Sequence, residues 1–203
     1  MKKRLSLLMV LVLMLQAITA QDYYDPEFKR FGIKAGVNFS HINFAKGVPP
    51  PVVPIETSWG AGINIGFLML VHITGDLYFQ PEYAYSQMSG QVKSSNTVYK
   101  LNYFSIPIFL KYQLQEKIFL VAGPQFDLLV NAKKSVNGIS ANITHDTEER
   151  SVAVTAGIEY QLTETFSVVA RYMHGLNHIG LGQRSDIQEF KYEMVQLMVC
   201  VKF

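Results

Sequence analysis

The sequence predicts an all-β fold: an eight-stranded antiparallel up-and-down transmembrane β-barrel, preceded by a cleaved signal peptide. Three observations predict it. Eight stretches alternate apolar and polar residues with the period of two that sends successive side chains to opposite faces of a sheet. Their connections run long, short, long, short, long, short, long, the order expected when long loops lie outside and short turns lie in the periplasm. Aromatic residues collect on the apolar face near both ends of the stretches, as the two membrane interfaces select.

The amino terminus sets the compartment. Lys2-Lys3-Arg4, an apolar run from Leu5 to Leu15 and Ile18-Thr19-Ala20 follow the order of a secretory signal. Residues 1–20 therefore read as the signal peptide, and residues 21–203 as one outer-membrane β-barrel domain. The apolar run is shorter than the ~20 residues of a spanning helix. Cys200 is the single cysteine, which excludes an intrachain disulfide and a cysteine-based zinc site, and because none follows the apolar run no lipoprotein anchor is expected. A net charge of +2 gives no reason to expect nucleic acid. Tyr 11 and Phe 13 against Trp 1, with Gly 14, suit an apolar β protein.

The first strand falls in Arg30 to Asn43, with Phe31, Ile33, Ala35, Val37 and Phe39 on one face. Gly47-Val48-Pro49-Pro50-Pro51 cannot join a central ladder and reads as a loop. Trp59 to Val71 resumes the alternation, and His72 to Asp76 turns the chain. Leu77 to Gln87 is the third strand, Ser89 to Thr97 a polar loop, and Asn102 to Tyr112 the fourth strand. After a turn at Gln113 to Lys117, Ile118 to Asn131 is the fifth strand, its polar face blurred by Phe119, Val121 and Leu129. Ala132 to Arg150 is a long loop, Ser151 to Gln161 the sixth strand, Leu162 to Thr165 a turn and Phe166 to Met173 the seventh. Gly175 to Gln188 is the last loop. The final strand, Glu193 to Phe203, carries Val195, Leu197, Val199, Val201 and Phe203 on one face and ends on an aromatic residue. Those five residues read as the membrane-insertion signal, to be recognised by the barrel-insertion machinery.

With the first strand rising from the periplasm, Phe31, Tyr112, Tyr160, Phe166 and Phe203 point outward at the lower rim. Phe39, Trp59, Tyr85, Phe104 and Tyr172 point outward near the upper one. A soluble barrel would turn its apolar face inward and needs no such girdles. The opposite face holds Lys34, Glu82, Lys111, Asp127, Glu159 and Arg171, each from a different strand. Eight strands leave room only for side chains to fill the lumen, so these charges are expected to pack as a network of three acids with three bases. A proton path or small catalytic site is the sharper use of the same residues. His174 and His178 sit at a strand-to-loop boundary, and His41 and His145 lie in or near other loops, which favours scattered histidines over a metal site. No nucleophilic triad order, H-E-x-x-H or phosphate-cradling glycine loop occurs, so no catalytic, cofactor or metal residues are assigned.

F-G-I-K-A-G-V-N-F-S at 31–40, F-Q-P-E-Y-A-Y-S at 79–86, Y-F-S-I-P-I-F-L-K-Y at 103–112, A-G-P-Q-F at 122–126 and R-Y-M-H-G-L at 171–176 resemble the PorT-like outer-membrane β-barrel proteins of Gram-negative bacteria. The resemblance covers the mature chain and implies an eight-stranded barrel in the cell outer membrane. Ser105 stands where that pattern often has an acid, so the inner charge network is expected to differ here. The expected function is a non-enzymatic barrel, structural or partner-binding through its extracellular loops, without cofactors. An accessory role in secretion or assembly is the alternative, and a membrane-embedded enzyme comes third. Expected partners are outer-membrane lipid, the insertion machinery and an extracellular or periplasmic protein.

Overall fold

The computed structural model describes residues 30–47, 52, 54–181 and 188–203. The expected signal peptide, most of the Gly47–Pro51 loop and part of the Gly175–Gln188 loop lie outside these residues. Eleven strands form one sheet: β1 (Phe31–Asn43), β2 (Thr57–Met69), β3 (Val71–Thr74), β4 (Leu77–Val92), β5 (Thr97–Gln115), β6 (Ile118–Val136), β7 (Ile139–Asn142), β8 (Arg150–Gln161), β9 (Phe166–Gly175), β10 (Ile179–Leu181) and β11 (Gln188–Lys202). The wall runs β1-β2-β4-β5-β6-β8-β9-β11, each neighbour antiparallel, and β11 pairs back onto β1. That closure makes the eight-stranded up-and-down barrel. It leaves no sheet edge within the wall. The seam continues to the last residue, where Phe203 N–H donates to Phe31 C=O at 2.9 Å and Phe31 N–H donates to Phe203 C=O at 3.3 Å.

Alternation decides which residues point where. Along β9, Phe166, Val168, Ala170 and Tyr172 are exposed, whereas Ser167, Val169, Arg171 and Met173 are buried. All ten aromatics of the two girdles are exposed on the outer wall. Phe119 and Val121, which blur the fifth strand's pattern, point inward and are buried.

Five of the expected connections are partly strand, including Gln113 to Lys117, where β5 runs on to Gln115, and Gly175 to Gln188, which contains β10. Ser89 to Thr97 is mostly the top of the β4–β5 hairpin, with its turn at residues 93–96. Within Ala132 to Arg150, β6 runs on to Val136 and turns back into β7. That turn is Asn137-Gly138, both at positive φ (49° and 87°). This is the geometry an Asn-Gly pair supplies to a two-residue hairpin. On the short-turn side, β3 continues the chain beyond Leu70 and turns at Gly75, whose φ is 52°.

β5 and β6 each have 19 residues, about twice the 9–11 that a tilted strand needs to cross a bilayer. The excess lies at the long-loop end. There the polarity of the wall reverses; parity holds along β5, whereas a bulge in β6 between Leu129 and Asn131 shifts it by one residue. Going up β5, the outward residues change from Tyr112, Leu110 and Phe104 to Asn102 and Lys100. The inward ones change from Lys111 and Ser105 to Tyr103, Leu101 and Tyr99. The upper lumen is consequently a second, apolar core, in which Ile42, Met88, Leu101, Met173, Phe190 and Met194 pack together. Strand segments standing clear of lipid bury apolar side chains inward, as soluble sheets do.

Candidate functional site

The lower lumen contains the charged positions. Lys34, Glu82, Lys111, Asp127, Glu159 and Arg171 are all buried inside the wall. They do not form one network of three acids and three bases. Glu82 lies between Lys34 and Arg171: it pairs with the Lys34 ammonium, and the Arg171 guanidinium donates to it with both terminal nitrogens, at 2.8 and 2.7 Å. Gln80 adds a hydrogen bond to the same carboxylate at 2.7 Å. Glu159 lies between Lys111 and Lys202, each at 2.6 Å.

Lys202 is thus a seventh member. Its place in a partly polar face of the terminal strand gave little sign of this, although its parity with Cys200 was a usable signal. Aromatic faces lie against two of the cations. Lys111 stands 4.4 Å from the Phe119 ring centroid, and Arg171 4.5 Å from that of Phe109. Both contacts are within cation–π range. Room for Arg171 comes from Gly157 on the adjacent strand, where a β-carbon would stand 2.7 Å from Arg171 Cγ.

Asp127 stands apart. It has no ion pair among the described residues, and it accepts a hydrogen bond from Gln125 Nε2 at 2.9 Å. Thr155 Oγ1 in turn donates to Gln125 Oε1 at 3.1 Å. Its cross-strand neighbours are Ser105 and Ser151, so the serine that replaces an expected acid faces the remaining one. An amide belt completes the middle of the lumen: Gln196 Nε2 donates to Asn38 Oδ1 at 3.2 Å, and Asn38 Nδ2 donates to Ser86 Oγ at 3.0 Å.

Chemically, this arrangement holds charge in place. Each glutamate has its lone pairs directed at two cations. Neither is placed across an open space from a second carboxylate, as the acid–base pairs of glycoside hydrolysis are. The cross-strand pairing joins strands distant in sequence, Lys34 to Glu82 and Glu82 to Arg171, and so favours one register over its slipped alternatives.

Two of the histidines flank Glu193 at the rim. His41, Glu193 and His174 are consecutive cross-strand partners on β1, β11 and β9, two residues beyond the girdle positions Phe39, Val195 and Tyr172. Glu193 pairs with Lys46 and lies 3.9 Å from His174 Nδ1. The hydrogen bond from Lys46 holds the Glu193 carboxyl below the usual range against the smaller, opposing effect of burial. His41 hydrogen-bonds Thr57 Oγ1 at 2.8 Å and stacks on Trp59. Among the described residues, no group of three or more His, Cys, Asp or Glu is arranged to hold a metal.

Comparison with known proteins gives a consistent result. Residues 20–180 match the model of a family described as "Outer membrane protein beta-barrel domain". No curated protein matches the sequence. Among solved structures, Neisserial surface protein A is similar with a TM-score of 0.53 and 16% identity, over 85% of this chain and 97% of that one. Ail, the attachment invasion locus protein of Yersinia pestis, is similar with a TM-score of 0.50 and 16% identity, over 87% and 100%. AlkL, solved in lipid bilayers, gives 0.50 at 13% identity, over 87% and 92%. At such identities the likeness is one of fold.

Proposed function

The chain belongs to the outer membrane protein beta-barrel domain family, and from this premise we propose that it is a non-enzymatic, partner-binding barrel of the PorT-like branch. It lies in the outer membrane, with the apolar wall against lipid and the short turns in the periplasm. The reading rests on the β6–β7 hairpin. Val136 and Ile139 are cross-strand partners flanking the Asn137-Gly138 turn, and both are exposed, Ile139 at 80%. An apolar pair held in water beyond the membrane costs solubility, and a protein partner covering it offsets that cost.

The packed lower lumen then serves as a rigid base. It fixes the register of the wall, and the extended strands present their tips at a set height. A photocrosslinker at Ile139 in intact cells should trap a distinct partner, while one at Lys117 in a periplasmic turn should not. Crosslinks confined to Lys117, with loss of an exported cargo on deletion of the gene, would instead favour an accessory of secretion or assembly.

A further inference from the structure

Above the girdle, the outer wall of β4, β5, β6 and β7 is layered by polarity. The top paired apolar row is Tyr85, Phe104 and Leu128, joined across β4, β5 and β6 by direct pairing, with exposed Val130 above Leu128 in the β6 bulge. The next outward row is Gln87, Asn102 and Asn131, three amides on the same strands, with Gln87 donating to Asn102 Oδ1 at 3.0 Å. The third row contains Lys100 and Lys133, directly opposite each other on β5 and β6, both exposed. Hydrocarbon, amide and ammonium follow one another up the wall. A lipid monolayer has the same order, acyl chain, ester and phosphate.

Two like charges placed opposite each other on paired strands destabilise the pair. Among the described residues neither lysine has a carboxylate within ion-pair distance. Lys134 does not share the row: it turns toward the Tyr99 ring, 5.8 Å from its centroid. Lys93, at the hairpin turn, approaches Glu56 at 3.9 Å. Lys100 lies four residues beyond Phe104, about 13 Å along the strand and about 10 Å along the membrane normal at a tilt of ~40°. A lysine stem laid back along the wall brings its ammonium down to the headgroup layer.

We propose that Lys100 and Lys133 together bind the phosphate of an anionic lipid in the outer leaflet. Its ester region lies against the amide row and its acyl chain against Phe104, Leu128 and Phe126. The lipid anion replaces the missing carboxylate, so the repulsion between the lysines becomes selectivity for a charged headgroup. The site rests on the outer-membrane location and is independent of any protein partner at Ile139.

The test is lipid retention. The full barrel is reconstituted in phosphatidylcholine vesicles containing a minor fraction of phosphatidic acid, then released into mild detergent. Lipids retained on the folded form are counted by native mass spectrometry. Wild type and Lys93→Gln should keep phosphatidic acid over phosphatidylcholine by about tenfold, given two lysines near an anionic headgroup. Lys100→Gln/Lys133→Gln should lose this preference, and Lys100→Arg/Lys133→Arg should keep it. Equal retention by wild type and the double glutamine variant overturns the proposal. So does protection from heat unfolding by millimolar inorganic phosphate equal to that by the lipid, because the site would then read free anion.

Discussion

At the scale of single residues, each buried glutamate is shared by two cations, and this changes which substitution costs most. Arg171→Gln leaves Glu82 still paired with Lys34. Glu82→Gln instead leaves Lys34 and Arg171 facing each other without an anion. Breaking a buried pair costs about 3–5 kcal/mol, and Glu82→Gln should fall in that range, with Arg171→Gln clearly below it. Adding Lys34→Met to Glu82→Gln should recover part of the loss, because members of one network do not add. Unfolding in detergent, followed by the mobility shift on unheated gels, measures all three. Equal losses for Glu82→Gln and Arg171→Gln would count against the shared-carboxylate reading. At the rim, Glu193 has its carboxyl held low, first by the Lys46 hydrogen bond. Its contribution is therefore present above the ordinary carboxylate pKa of about 4.3 and disappears as pH falls through the lower folded value. Lys46 is 44% exposed, so screening keeps the contribution to at most about 1 kcal/mol. Wild type and Glu193→Gln should differ in unfolding midpoint at neutral pH and converge in acid. A difference that grows in acid would reverse the sign argued here.

At the scale of elements, a strand's address in the membrane is written in the polarity of its two faces. Val168 is exposed on the outer wall of β9 between Phe166 and Tyr172. Val168→Arg should cost roughly 2–4 kcal/mol near the bilayer midplane. Asn102→Arg, also outward but above Phe104, should cost no more than about 1 kcal/mol, as charges near the interface do. Folding yield into lipid vesicles separates the two. If both are harmless, the outer wall of β9 does not meet hydrocarbon. The closing strand carries a second element-level expectation. Phe203 is 62% exposed and its backbone completes the seam with Phe31. Deleting Phe203 should lower the fraction reaching the outer membrane more than it lowers the stability of barrel refolded in detergent, because the terminal residue is proposed as part of the insertion signal. Equal effects on both would reduce its role to the seam.

At the scale of the whole molecule, the barrel is filled twice over, by ion triads and amides below and by an apolar core above. Planar bilayers containing pure protein should show no stable ohmic conductance, since an eight-stranded wall has no space beyond its side chains. A large, steady channel would require either an emptied interior or assembly of several copies. The two fillings do different things. Paired charges restrict the register, as Lys34, Glu82 and Arg171 do across strands far apart in sequence. Apolar packing around Met88, Met173 and Phe190 carries the hydrophobic stabilisation that the lower lumen, rich in polar groups, supplies less of.

By itself the sequence determined the eight crossing strands, the two girdles and the inward direction of Lys34, Glu82, Lys111, Asp127, Glu159 and Arg171. All of these follow from a period of two, which is local and independent of neighbours. It held a further signal that alternation alone does not weigh, the Asn137-Gly138 turn, where two consecutive positive φ angles need these residues. Asn102 reads as the start of the fourth strand and Lys100 falls outside it, yet β5 runs through both and on to Thr97, on a stretch that has left the lipid. Only the closed wall shows that, because their meaning depends on Leu101 and Tyr103 packing inward against other strands. Tertiary structure alone also decided who pairs with whom. Parity states that a side chain enters the lumen. The stagger of strands around a closed barrel sets its height there, and height is what joined Lys202 to Glu159 and left Asp127 to Gln125.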